Sequence, residues 1–122
     1  MPKVYIETTI PSYIVSRLNR DIVVAAQQQL TKEWWTTARF DYDLYISEFV
    51  IVECERGDQS LAQRRIERIL NIPVLNVTEE VTNLALKYFN LLKIPENSKL
   101  DAFHLAITVI HKIDFLLTWN CK

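Results

Sequence analysis

Apolar residues in this chain fall into a few short solid runs, separated by longer stretches in which they recur every three or four positions. The solid runs are Val4-Tyr5-Ile6, Leu44-Tyr45-Ile46, residues 72–77 and Phe115-Leu116-Leu117-Thr118. Runs this short, rich in β-branched and aromatic residues, read as strands of a parallel sheet buried on both faces. Pro73 near the start of the third run marks it as an edge strand, because proline cannot donate to a ladder.

The periodic stretches predict helices. One runs from Thr9 to about Val15, with Pro11 in its first turn where a missing N–H costs nothing. Asn19-Arg20-Asp21 breaks it and caps a longer helix reaching about Ala38, with Ile22, Ala26, Leu30 and Trp34 as an inward stripe widened by Val23 and Trp35. Trp34 and Trp35 read as core or dimer-interface bulk before ligand stacking. Ser47 is a candidate cap for a helix that Gly57-Asp58 closes, and the next helix turns Leu61, Ile66, Ile69 and Leu70 inward and Arg64, Arg65 and Arg68 outward. With Glu67 among them, those arginines read as a solvated face. Thr78-Glu79-Glu80 starts a helix through Leu92, the acids suiting the positive end of its dipole. A last helix runs from about Ser98 to His111. Strands alternating with helices imply crossover connections, hence a three-layer α/β/α sandwich around a central parallel sheet of four strands.

Composition narrows the class. A chain of 122 residues is one domain, and 49% hydrophobic with 24% charged residues is a globular composition. The single Gly argues against a glycine-rich phosphate loop. No stretch approaches the ~20 apolar residues that span a bilayer, and the start lacks a signal-peptide layout, so a cytoplasmic protein with no membrane partner is expected. Cys54 and Cys121 fit that compartment as reduced thiols, too far apart in sequence for a zinc knuckle. A net charge of -1 gives no global footprint for nucleic acid, so any such binding must rest on a local patch or a metal ion.

Candidate chemistry gathers at one sheet edge. In open α/β sheets the ligand crevice lies outside the carboxyl ends of the strands. Glu7 follows the first strand and Asn120 the fourth, Glu53 lies about two turns into the helix after the second, and Asp101 opens the helix before the fourth. All four face one cavity if strands one, two and four are neighbours with the first in the middle. Three crowded carboxylates repel one another unless a divalent cation neutralises them. Hard oxygen ligands suit Mg²⁺ or Mn²⁺, and the set of His and Cys that zinc prefers is missing. Each residue also has a structural reading: Glu7 as a solvated strand end, Asp101 as a capping-box partner of Ser98, Asn120 as a turn residue. Glu53, among Phe49, Val50, Ile51 and Val52, is the hardest to read that way. Glu48, Glu55 and Asp114 read as solvated or turn acids. His104, one turn past Asp101, either touches the site or is a satisfied core histidine.

At these positions the sequence resembles a PIN domain, the metal-dependent ribonuclease fold of VapC-type toxins in bacterial toxin-antitoxin modules. Tyr5-Ile6-Glu7-Thr8 with Ser12-Tyr13 matches the family's opening strand. Ser47 stands six residues before Glu53, Asp101-Ala102-Phe103-His104-Leu105-Ala106-Ile107 resembles its third motif, and Leu116-Leu117-Thr118-Trp119-Asn120 takes the place of a strand closing on Thr-x-Asp. Glu7 replaces the usual aspartate, Asn120 replaces an acid, and the sequence ends where the family usually adds a helix and a short edge strand. The expectation is therefore a single PIN-like domain over residues 1–122 lacking that tail.

The resemblance implies a toxin that hydrolyses RNA phosphodiesters with metal-activated water, leaving 5′-phosphate and 3′-hydroxyl ends. Glu7 and Asp101 would hold Mg²⁺ or Mn²⁺, Asn120 would add a carbonyl oxygen, and Glu53 would hold a metal-bound water or second ion. Thr8 and Thr118 would position phosphate oxygens or ligand carboxylates. RNA, an antitoxin protein and a second copy in a homodimer are the expected partners. The alternative is a catalytically weakened PIN-like module that binds or dimerises. A phospho-acceptor receiver domain has similar length and alternation, but no strand here ends on paired acids.

Overall fold

A computed structural model describes residues 1–120; Cys121 lies outside the described residues. The chain runs β1 (Lys3–Ile6), α1 (Thr9–Val15), α2 (Ile22–Thr36), β2 (Asp43–Ser47), α3 (Glu48–Cys54), α4 (Gln59–Ile69), β3 (Val74–Leu75), α5 (Glu79–Leu91), α6 (Lys99–Ile110) and β4 (Phe115–Leu117). Short 3-10 turns precede β2 and α6. The strands form one parallel sheet in the order β3-β2-β1-β4. Helices clad it as two packed groups, α1 with α2 and α4, and α5 with α6, giving the three-layer α/β/α fold. No helix among the described residues is long and apolar enough to cross a membrane.

β1 owes its inner position to its composition. Val4, Tyr5 and Ile6 are all buried, as a strand clad on both faces requires. β3, which begins next to Pro73, takes one edge. β4 takes the other, and the expectation of a buried fourth strand fails. Phe115 and Leu116 are exposed because β4 is bonded to β1 on one side only. Asp114 accepts a hydrogen bond from the Lys3 backbone N–H at 2.8 Å, a strand-start role in keeping with a turn acid.

Helix starts follow side-chain chemistry closely. Asp21 accepts from the N–H groups of Val23 and Val24, Asp58 from Leu61 and Thr78 from Val81, each satisfying an otherwise orphaned donor. Gly57 supplies the positive φ of 81° that the α3–α4 turn needs. Ser47 and Ser98 occupy cap positions without making side-chain caps, so the capping-box reading of Ser98 fails and the Ser47 hydroxyl is used elsewhere.

The inward stripe expected of α2 holds only at its C-terminal end, where Trp35 is buried and Trp34 packs against the core. Ile22 and Leu30 are 85% and 57% exposed, Val23 and Ala26 are exposed too, and the buried face is Gln28, Thr31 and Trp35. Polar residues win that face because partners are waiting there. Gln28 donates to Ser16 Oγ at 2.7 Å and to the Arg17 carbonyl at 3.0 Å, and accepts from the Asn19 N–H at 2.9 Å. Thr31 donates to the Gln27 carbonyl and accepts from Trp119 Nε1 at 2.7 Å, tying α2 to the chain after β4. In α4, Leu70 is exposed and Ala62 buried, while Arg65 turns inward and donates to the Cys54 and Arg56 carbonyls that end α3.

Candidate metal centre

The carboxyl ends of β1 and β4 lie side by side, with Ile6 in register with Leu117, so Glu7 and Thr118 emerge as neighbours. Glu7 is buried, and one of its oxygens, Oε1, accepts three hydrogen bonds: Thr9 Oγ1 at 2.6 Å, Thr118 Oγ1 at 2.6 Å and the Thr9 backbone N–H at 3.1 Å. The donors are themselves braced. Thr118 Oγ1 accepts from the Asn120 N–H and Thr9 Oγ1 from the Trp119 N–H, both at 2.9 Å. Trp119 also stacks on Tyr13 at 6.1 Å. Three hydroxyl or amide donors thus converge on Oε1 of this carboxylate.

Glu53 arrives from α3 in the same manner. Its Oε1 accepts from Thr8 Oγ1 at 2.8 Å and faces His104 Nε2 at 2.8 Å. Behind His104, Nδ1 meets the Tyr5 hydroxyl at 2.6 Å, and that hydroxyl meets Ser47 Oγ at 2.7 Å. Among the described residues neither Glu53 Oε2 nor Glu7 Oε2 receives a hydrogen bond. Burial pushes the Glu53 pKa up, while the hydrogen bonds from His104 and the Thr8 hydroxyl and the nearby Arg56 push it down, and the net shift is downward. Glu53 is therefore a carboxylate at neutral pH. Burial raises the Tyr5 hydroxyl far above its ordinary value, so it stays protonated.

Asp101 and Asn120 meet one another. Asn120 Nδ2 donates to Asp101 Oδ1 at 3.0 Å, which leaves the Asn120 carbonyl oxygen as its remaining polar atom. Of the sequence candidates, Glu7 and Glu53 come together with His104: one ligand atom from each lies within 4.8 Å of the others. Asp101 stands outside that group, one turn before His104 on α6. Thr8 and Thr118 spend their hydroxyl protons on the two glutamates. Tyr5 and Thr9 join the site without having been singled out in the sequence; Thr9 sits beside Glu7, but nothing local in Tyr5 announces its partners. Cys54 takes no part, being buried with its thiol pushed up to about 12 by desolvation. Glu48 and Glu55 are exposed, as solvated acids should be.

The family model for the PIN domain matches residues 4–120. The chain belongs to the PIN-domain family. PIN domains are generally metal-dependent nucleases and commonly bind RNA. The donor chemistry of this PIN domain fits a divalent cation: two carboxylates close together, each held on one oxygen and open on the other, are mutually repulsive until a positive charge joins them. No curated protein matches the chain in sequence.

Proposed function

We propose that this PIN domain is a Mg²⁺- or Mn²⁺-dependent endoribonuclease, acting in the cytoplasm as the VapC-type toxin of a toxin-antitoxin module. The observation that carries the reading is the matched pair Glu7 and Glu53, each held at Oε1 by side-chain donors while its Oε2 receives no hydrogen bond among the described residues. Glu7 and Asp101, the latter one helical turn before His104, would hold the ion, Asn120 would add its carbonyl oxygen, and Thr9, Thr118 and Thr8 fix the carboxylates Glu7 and Glu53. Bound there, a divalent ion supplies positive charge for the phosphate and lowers the pKa of water. Glu53 Oε2 takes the proton of the attacking water. The water oxygen bonds to phosphorus as the bond to the 3′ oxygen breaks, and that oxygen leaves protonated from solvent, giving 5′-phosphate and 3′-hydroxyl ends.

RNA binding by a chain of net charge -1 needs a local patch. Arg17, Lys32, Arg64 and Arg68 supply one, lining an open groove of about 490 Å³ together with Glu67. Incubating single-stranded RNA with the protein in Mg²⁺ or Mn²⁺, against an EDTA control, tests the activity directly. Cleavage should appear only with the metal; none in either cation at any concentration rejects the enzyme.

Asn120 favours a second reading, a catalytically weakened module that binds or dimerises. It gives Asp101 an amide donor where the family usually places another acid. Metal titration separates the two, because this reading expects no binding of Mg²⁺.

A further inference from the structure

His104 is 2% exposed, and its two ring nitrogens look in opposite directions, Nδ1 to Tyr5 and Nε2 to Glu53. With one ligand atom from each of Glu7, Glu53 and His104 inside 4.8 Å, the imidazole is open to two roles, third metal ligand or hydrogen-bond donor. Counting protons along the buried chain Ser47–Tyr5–His104–Glu53 separates them.

Ser47 is fully buried, and Tyr5 is the side-chain partner its hydroxyl finds among the described residues. A ligating Nε2 must be bare, so the ring proton would sit on Nδ1 and be donated to the Tyr5 oxygen. Tyr5 would then donate to Ser47, and the Ser47 proton would be left buried with no acceptor among the described residues. In the opposite direction every proton has a place. Ser47 donates to Tyr5, Tyr5 donates to Nδ1, and Nε2–H donates to Glu53 Oε1. A doubly protonated imidazole strands the Ser47 proton just as the ligating form does. Unsatisfied buried donors are rare in folded proteins, so the fully paired direction is the stable one.

We propose that His104 is a positioning residue and not a metal ligand: Ser47 and Tyr5 fix it as the neutral Nε2–H tautomer, which holds Glu53 by Oε1 and turns Oε2 toward the reacting water. Its coupling to catalysis rests on the metal-dependent reading above, whereas the tautomer does not. The arrangement also explains the six-residue spacing of Ser47 and Glu53: the two ends of α3 are tied to one imidazole, Ser47 through Tyr5 and Glu53 directly. Such outer residues orient ligating groups in metal sites generally, and removing one typically costs about 10–100-fold in activity or metal affinity.

The test combines spectroscopy with kinetics. In protein labelled with ¹⁵N-histidine and carrying His111→Gln, so that His104 is the one histidine left, nitrogen–proton correlation spectra at pH 8 should show Nε2 protonated and Nδ1 bare. The pattern should persist when Mg²⁺ or Zn²⁺ is added. A bare Nε2, two protonated nitrogens, or an Nε2 signal moving to a metal-bound position overturns the proposal. In the kinetic arm, His104→Ala should lower kcat about 10–100-fold with KM for RNA unchanged. His104→Gln, which returns an N–H near the same point, should recover part of the loss, and calorimetry should find Mg²⁺ binding kept in both. Loss of Mg²⁺ binding on removing the imidazole means that it is a ligand and defeats the proposal. Should His104→Ala fail to fold, the spectra of the unaltered ring still decide. A wild-type protein that cleaves nothing removes the nuclease reading while leaving the tautomer result standing.

Discussion

Two regions of this molecule that bury polar side chains end differently. On α2, Gln28 and Thr31 face inward and every hydrogen bond they make closes on another group of the protein, whether the Arg17 and Gln27 carbonyls, Ser16, Asn19 or Trp119. Around the end of β1, the chain of bonds through Ser47, Tyr5, His104 and Thr8 runs into Glu53, whose other oxygen receives no hydrogen bond among the described residues, and the bonds from Thr9 and Thr118 stop at Glu7 in the same way. A closed network spends its polarity on holding the fold. An open one leaves charge aimed at something outside the protein. Burial and hydrogen bonding alone do not separate the two; what separates them is whether the last acceptor is satisfied.

Substitutions can break that contrast. The largest effect is expected from Glu7→Gln, which keeps an oxygen to accept from Thr9 and Thr118 but removes the charge: Mg²⁺-dependent cleavage should fall by more than about 100-fold, beyond the loss typical of supporting residues. Circular dichroism should be unchanged, and near-normal turnover by this variant would mean that the open network is not the active site. In the closed network the readout moves to stability. Gln28→Ala strands the Asn19 N–H and two acceptors and should destabilise the fold by ~1–3 kcal/mol in urea unfolding, with kcat nearly unchanged. A smaller effect belongs to the acid limb of stability. Because the folded Glu53 pKa lies below its ordinary value, its contribution is complete above ~4.3 and is lost as pH falls through the lower folded value. Unfolding of wild type and Glu53→Gln without metal should therefore differ by a constant amount at neutral pH and converge in acid, and a gap that widens in acid would contradict the downward shift. The smallest effect is expected from Leu30→Ala, within ~0.5 kcal/mol, because that side chain faces solvent while its polar neighbours on α2 face the core. A cost like that of a buried leucine would show that this face is covered in solution.

What the sequence determined by itself is the layered architecture and the sheet edge at which the candidate site residues gather. Short solid apolar runs mark strands, strand-to-helix alternation forces crossovers, and Glu7, Glu53, Asp101 and Asn120 stand where those elements begin and end. The caps at Asp21, Asp58 and Thr78 were equally plain, since capping acts within a few residues of chain. Tertiary structure alone decided the rest. The inward face of α2 turned on partners such as Arg17 and Trp119, which no periodicity reports. Whether His104 belonged to the core or to the site also waited on folding, and it belongs to both. Its partners Tyr5 and Glu53 lie 99 and 51 residues away, and a hydrogen bond over such a separation is set by packing and leaves no local pattern to read.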